Sequence, residues 1–133
     1  MKRLALILAG GALALAGATA ATARPTLAER NEARLAHMLE GRSAGEPVNC
    51  ISTMRSDRLQ VIEHVGLVYD AGRTIYVARV THPNQLDPWD IPVIERFGSQ
   101  LCSNDVMRTV DRSGGYVTGP LFLEDFVPYT KNG

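Results

Sequence analysis

The histidines are the first residues to consider for chemistry, because imidazole titrates near neutral pH and is the commonest metal ligand in proteins. The sequence has three, His37, His64 and His82, which do not cluster, and His82 could form a metal site with Asp87 and Asp90. An imidazole and two carboxylates spread along one loop are common by chance, so we expect solvated side chains here. The sequence predicts neither a metal site nor a cofactor.

Nucleophilic catalysis is not indicated either. It needs a serine or cysteine next to a base, and the sequence contains no G-x-S-x-G motif. The two cysteines, Cys50 and Cys102, are too distant for a C-x-x-C redox motif and too few for a structural zinc site. The carboxylates show no arrangement typical of glycoside cleavage. The sequence therefore predicts no catalytic residue and a protein that is not an enzyme.

Binding is favoured by Trp89, the only tryptophan, which lies between Pro88 and Asp90. Tryptophan is a frequent anchor in binding surfaces for sugars and proteins. Trp89 and His82 are therefore the predicted contacts with a partner. A tryptophan folded back onto the sheet as a plug is the alternative.

Length and charge limit the function classes. The chain has 133 residues, of which 110 follow residue 23, and these carry twelve basic and fourteen acidic side chains, or a formal charge of −2. This length is sufficient for one domain with its own core, and the charge does not favour nucleic-acid binding. Eleven of the twelve basic residues are arginine, a side chain suited to carboxylates and phosphates, although a genome rich in G and C would produce the same bias.

The N-terminus is typical of a signal peptide. A short basic start precedes an uncharged run, residues 4–23, whose large aliphatic side chains end at Leu15. A membrane-spanning helix needs about 20 strongly apolar residues, whereas small-residue cleavage patterns follow here. We expect cleavage after Ala23 or Ala20, a periplasmic or secreted protein, and no stable membrane span after removal of the leader. Retention as a membrane anchor is the alternative.

The expected compartment bears on the two cysteines. In an oxidising compartment an even count indicates a disulfide, whereas a cytosolic pair is more often free or redox-active. Cys50 and Cys102 are therefore expected to be joined, which would tie the start of the core to the segment before Val106.

Residues 24–47 are predicted to form a helix and a connector. Thr26 and Glu29 stand at the spacing of a capping box, which satisfies the first free amides of a helix, and Gly41 is the expected stop. The apolar stripe of this helix is narrow, so it either packs at the edge of the domain or extends as a mobile arm. Residues 42–47 are rich in turn-forming types and are expected to separate the helix from the core.

Residues 48–130 are predicted to form a β-rich core domain. β-branched and aromatic residues predict a strand over 59–69, with His64 in its middle, then a turn at 70–72 and a strand over 73–80. A long surface loop is expected from Thr81 to Pro92, because this segment holds three prolines. Further strands are expected at 93–97, 101–102, 106–110 and 116–118, with a break at 119–120, an apolar stretch over 121–126 and a polar tail at 131–133.

The predicted fold is therefore α+β or mainly β. One N-terminal helix precedes five or six antiparallel strands in a small curled sheet or a partly open barrel. The order of the segments is a signal peptide at 1–23, the helix and connector at 24–47, and the core domain at 48–130.

Four short motifs resemble those of a family of small exported proteobacterial proteins of unknown function. They are Cys50-Ile51, GRTIYV from Gly72, LCSNDV from Leu101 and FVPY from Phe126. Many members of that family carry a second cysteine pair, which is absent here, and this chain has Glu124 where the closing motif usually has glycine. The resemblance spans about residues 48–129 and implies export and a similar fold. It assigns no catalytic residue, because the family has no established activity.

These observations favour an exported, non-enzymatic module that binds an envelope protein or a glycan. A second hypothesis is a secreted inhibitor of a hydrolase, with residues 81–92 entering the cleft of the target. A third is a small hydrolase or a metal-dependent enzyme that uses His82. A protruding rigid loop with Trp89 exposed would favour the inhibitor, and a deep cleft with His82 facing carboxylates would favour the enzyme.

Overall fold

The computed structural model describes residues 11, 17, 23–96 and 98–133. The predicted signal peptide lies almost entirely outside the described residues, as does Phe97, the last residue of a predicted strand. The described residues form one helix and ten strands: α1 (Leu27–Met38), β1 (Arg42–Ala44), β2 (Cys50–Ser52), β3 (Leu59–Ile62), β4 (Gly66–Asp70), β5 (Thr74–Arg79), β6 (Asp90–Glu95), β7 (Gln100–Cys102), β8 (Val106–Asp111), β9 (Val117–Pro120) and β10 (Val127–Lys131).

The strands form three antiparallel sheets, none of them closed. Their orders are β1-β10-β5-β4-β3, β2-β7 and β6-β8-β9. The predicted α+β, mainly β fold is confirmed, with more strands than the five or six expected.

Helix α1 packs on one face of the five-stranded sheet. Its capping box is present, with the Glu29 amide donating to Thr26 Oγ1 at 3.2 Å and the Thr26 amide donating to Glu29 Oε2 at 2.9 Å. Leu35 is 1% exposed and belongs to a buried cluster with Ile62, Val65, Val68, Ile75 and Val77. Asn31 Nδ2 also donates to the Glu63 carbonyl at 2.9 Å. The narrow stripe is therefore enough to fix the helix on the sheet.

The other face of this sheet meets the two smaller sheets in the main core. Alternate residues of a strand point to opposite faces, so Leu67, Tyr69 and Ala78 face away from the helix. They form one buried cluster with side chains from β2, β7 and β8 and from the segment after β9, namely Ile51, Leu101, Met107, Leu121, Leu123 and Phe126.

Segments on either side of the predicted core domain belong to the five-stranded sheet, which corrects two expectations. Residues 42–44 of the predicted connector form β1, and Lys131 of the predicted polar tail belongs to β10, its pairing partner. Pro128 lies inside β10 although proline cannot donate to a ladder. The Pro128 carbonyl accepts from the Gly45 amide at 2.7 Å. Because the nitrogen and the carbonyl of a residue point toward the same neighbour in an antiparallel pair, the Pro128 nitrogen also faces Gly45, one residue beyond the end of β1.

The predicted strand over 59–69 is instead a hairpin of β3 and β4. The turn is at residues 63–65, and His64 adopts φ 63°, a left-handed conformation that is uncommon outside glycine. The His64 amide donates to the Leu86 carbonyl at 2.7 Å, and His64 Nδ1 lies 3.1 Å from the Pro83 carbonyl oxygen, so that nitrogen carries a proton. The placement of His64 in mid-strand was wrong, because these distant carbonyls stabilise the turn.

The segment from residue 81 to residue 92 is only partly a surface loop. Pro83–Gln85 form a single 3₁₀ turn, Leu86 is fully buried, and β6 begins at Asp90. Pro92 is tolerated within β6 because β6 is an edge strand.

A break was expected at Gly119 and Pro120. These residues lie instead within β9, which belongs to the same three-stranded sheet as β6.

Candidate functional site

The disulfide predicted from the sequence is present. Cys50 and Cys102 are joined with an S–S distance of 2.01 Å, and they lie directly opposite each other in the β2–β7 pair. The bridge thus connects two short strands that pair only with each other.

A polar network surrounds this bridge. Ser103 Oγ donates to Asp125 Oδ1 at 2.6 Å, and Asn49 Nδ2 donates to Ser103 Oγ at 2.7 Å. The hydrogen bonds from Ser103 and Asn49 hold the pKa of Asp125 below its ordinary value. Asn49 precedes one cysteine and Ser103 follows the other, so the network fixes both sides of the disulfide.

The histidines do not converge on one another. His37 Nδ1 lies 3.2 Å from Glu40 on the surface, and His82 is exposed, with Nδ1 3.0 Å from Thr81 Oγ1. His64 belongs to the β3–β4 turn. No group of three or more histidine, cysteine or acidic side chains that could hold a metal ion occurs among the described residues.

The carboxylates near His82 stabilise local structure. Asp87 Oδ1 accepts the Trp89 amide at 2.8 Å, and Asp90 Oδ1 accepts the Thr118 hydroxyl at 3.1 Å. Asp87 therefore shapes the turn that leads into β6, while Asp90 links β6 to β9. Neither interaction includes His82.

The outer face of the β6-β8-β9 sheet exposes an aliphatic side chain on each of its three strands: Ile91, Val106 and Val117. On β8, Met107 and Thr109 point into the protein and are 4% and 2% exposed. The alternate side chains of all three strands therefore point outward. We define the outer face as these outward residues together with Trp89: Trp89, Ile91, Val93, Glu95, Val106, Arg108, Val110, Arg112, Val117 and Pro120.

The register places these side chains in rows across the sheet. Ile91 lies opposite Val110, which lies opposite Val117, so three aliphatic side chains cross all three strands. Val93, Arg108 and Pro120 form the next row. Arg108 is ion-paired with Glu95 on the same face.

Trp89 extends the outer face at one end. The Arg112 amide donates to the Trp89 carbonyl at 2.7 Å, which continues the β6–β8 ladder by one residue. Trp89 thus follows the alternation of Ile91 and Val93 and is 73% exposed. Of the two alternatives for Trp89, the structure shows the exposed one.

Sequence reasoning identified Trp89 but missed the surface to which it belongs. The prolines at 88 and 92 marked this segment as a loop, which concealed the first half of β6. The alternation of Trp89, Ile91 and Val93 was the available signal, since apolar residues at every second position indicate one face of a strand.

No helix among the described residues has the length and apolar character needed to cross a membrane. Comparison with known protein families, with curated proteins and with solved structures finds no match.

Proposed function

We propose that this protein is an exported, non-enzymatic module that binds a protein of the cell envelope through the outer face. The observation that supports this proposal best is the continuous row Ile91-Val110-Val117, extended by an exposed Trp89. Contiguous exposed apolar surface is uncommon on a soluble domain unless it contacts a partner or a membrane.

The composition of the outer face favours a protein as the partner. Binding energy at protein interfaces is concentrated in tryptophan, tyrosine and arginine near the centre of the contact, surrounded by residues that exclude water. Trp89 and Arg112 lie side by side in the ladder next to the aliphatic row. Arg108 is ion-paired with Glu95. Arg112 forms no ion pair with the described residues, and its Nε donates to the Pro88 carbonyl at 3.2 Å, so its positive charge is not neutralised. The complementary surface is therefore apolar, with a carboxylate opposite Arg112.

The inhibitor hypothesis has less support. An inhibitory loop must project from the domain, but Leu86 is fully buried and the carbonyls of Pro83 and Leu86 are bound to His64. The end of the segment belongs to β6. These contacts hold residues 83–86 against the core and leave Trp89 as part of a sheet surface.

Export is the first part of the proposal to test. We expect protein recovered from the cell envelope to begin at Arg24, or at Ala21 if the other cleavage site is used, because small residues precede both positions. N-terminal sequencing measures this directly. Recovery of the envelope protein with Met1 at its N-terminus would contradict cleavage.

Partner binding is the second part. The protein starting at Arg24 should capture a partner from envelope extract, and the affinity for that partner, once purified, can be measured by calorimetry. We expect Trp89→Ala to weaken binding by about 30-fold or more, the effect of removing one dominant interface residue. Val117→Asp should have a similar effect, because it buries a charge in the contact.

Val61→Asp is the matched control, since Val61 is an exposed residue of β3 that lies outside the outer face. It introduces the same charge in place of an exposed apolar side chain and should bind like the wild type. Equal affinity of Trp89→Ala, Val117→Asp and the wild type would refute the outer face as the binding surface.

A further inference from the structure

A surface pocket lies between the end of β2 and the turn that joins β4 to β5, on a part of the protein that the outer face does not include. Its volume is about 400 Å³, within the range of sites that hold small organic molecules. Its walls include Met54, Arg55, Arg58, Tyr69 and Asp70. The pocket therefore combines two guanidinium groups with a phenol ring and a thioether.

Arg58 has no partner of its own in this pocket. It is half-buried, yet it makes no ion pair and no side-chain hydrogen bond among the described residues, which include every aspartate and glutamate of the chain. Arg55 contacts Asp57 at 3.4 Å, and both side chains are about two-thirds exposed, so this pair is weak. A half-buried guanidinium without a carboxylate is suited to receive one from a ligand.

Tyr69 supplies a second free donor. Its side chain is part of the main core and the residue is 6% exposed, while it also lines the pocket. Its hydroxyl forms no hydrogen bond with the described residues, although buried tyrosine hydroxyls usually find a partner. The hydroxyl oxygen is not fully enclosed, and Tyr69 lines the pocket, so we place the hydroxyl at the pocket wall.

The charge of the pocket selects the kind of anion. Arg55 and Arg58 contribute two positive charges and Asp70 one negative charge, and Asp70 Oδ1 already accepts the Gly72 amide at 2.8 Å. A net lining charge of +1 matches a monoanion better than a phosphate dianion, whose second negative charge it would leave uncompensated. Met54 and the ring of Tyr69 offer apolar contact to the remainder of the ligand.

We infer that this pocket binds a small organic carboxylate. The Arg58 guanidinium receives the carboxylate as a two-pronged donor, the Tyr69 hydroxyl donates a further hydrogen bond, and Met54 covers the body of the ligand. At least one of the many arginines in the sequence, Arg58, therefore has a binding role. This inference is independent of the proposed function, because it concerns different residues.

The test is a titration of the protein starting at Arg24, followed by amide NMR spectra. Benzoate and glucuronate are the carboxylate probes, one with an aromatic body and one with a sugar body. Benzamide and glucose are their uncharged counterparts, and inorganic phosphate is the competing anion. We expect at least one carboxylate to cause saturable shifts at Ser52, Ala71 and Gly72, and its uncharged counterpart to cause none. If neither carboxylate binds here, or if phosphate binds more tightly, the inference is wrong.

Substitutions then test the two donors. Arg58→Gln should weaken carboxylate binding about tenfold or more, and Tyr69→Phe, which keeps the ring, about threefold or more, because each removes a hydrogen bond to a charged group. Arg30→Gln is the matched control, since Arg30 is an exposed helix residue that does not line the pocket. An affinity unchanged by Arg58→Gln, or lowered equally by Arg30→Gln, would show that the protein attracts anions only through its general charge.

Discussion

Reducing the Cys50–Cys102 disulfide is expected to lower the melting temperature by well over ~10 °C, since each kcal/mol shifts a domain of this size by roughly 4 °C or more. The bridge joins residues 52 positions apart, and the chain entropy that it removes from the unfolded state corresponds to about 4 kcal/mol. That is a large fraction of the 5 to 15 kcal/mol or so typical of small domains. Ile51 and Leu101, on the bridged strands, are 5% and 0% exposed, so loosening these strands would also expose part of the core.

Thermal unfolding followed by circular dichroism, with and without reductant, measures this effect. The double variant Cys50→Ala/Cys102→Ala should melt at the temperature of the reduced wild type and should not respond to reductant. Two free thiols in protein isolated without reductant, or a melting curve that reduction leaves unchanged, would contradict the prediction and the expectation of an oxidising compartment.

Replacing Gly66 with alanine is expected to destabilise the protein by about 3 kcal/mol or more. Gly66 begins β4 with φ 155°, and an added Cβ would lie 2.0 Å from the Ala78 carbonyl oxygen and 2.9 Å from Arg79 Cα. Both neighbouring atoms belong to the backbone of β5, which is paired on both sides and cannot move away. No side chain therefore fits at this position, and the β4–β5 pairing must be disrupted to accommodate even a methyl group.

Gly119→Ala is the matched control for this substitution. Gly119 also lies in a strand, but an added Cβ would meet no atom within 4 Å. Chemical denaturation should therefore show a large loss of stability for Gly66→Ala and little change for Gly119→Ala. Equal stability of the two variants would mean that β4 and β5 are not packed as closely at residue 66 as described.

Local signals in the sequence predicted the elements that local interactions stabilise. The capping box of Thr26 and Glu29 correctly marked the start of α1, because both of its hydrogen bonds lie within one turn of the helix. The turn between β4 and β5 was equally predictable. Gly72 adopts φ 91° there, and its amide is bound by the side chain of Asp70, two residues away.

The missed elements depend on partners far away in the sequence. The turn at His64 contains none of the usual turn residues and is stabilised by the carbonyls of Pro83 and Leu86. Strand β1 has a turn-forming composition and is a strand because β10, nearly ninety residues later, pairs with it. Single-sequence patterns do not contain such pairings, so these segments were predicted as a continuous strand and a connector.

The candidate sites were predictable to different degrees. Trp89 could be identified because its residue type is rare and chemically distinctive, but its exposure depends on the ladder contact with Arg112. The pocket proposed to bind a carboxylate could not be found in the same way. Arg58 and Tyr69 have no shared motif, and they meet because Leu59, which follows Arg58, pairs with Tyr69 across β3 and β4.

A chain that is synthesised from its N-terminus presents β10 after the other nine described strands. Because β10 lies between β1 and β5, the five-stranded sheet lacks an interior strand until residues 127–131 have emerged. During that interval β1 has no partner and one edge of β5 stays open, which is the kind of exposed strand edge that promotes aggregation. The five-stranded sheet is therefore completed only when residues 127–131 are available, and a partly synthesised chain carries an unpaired edge of β5.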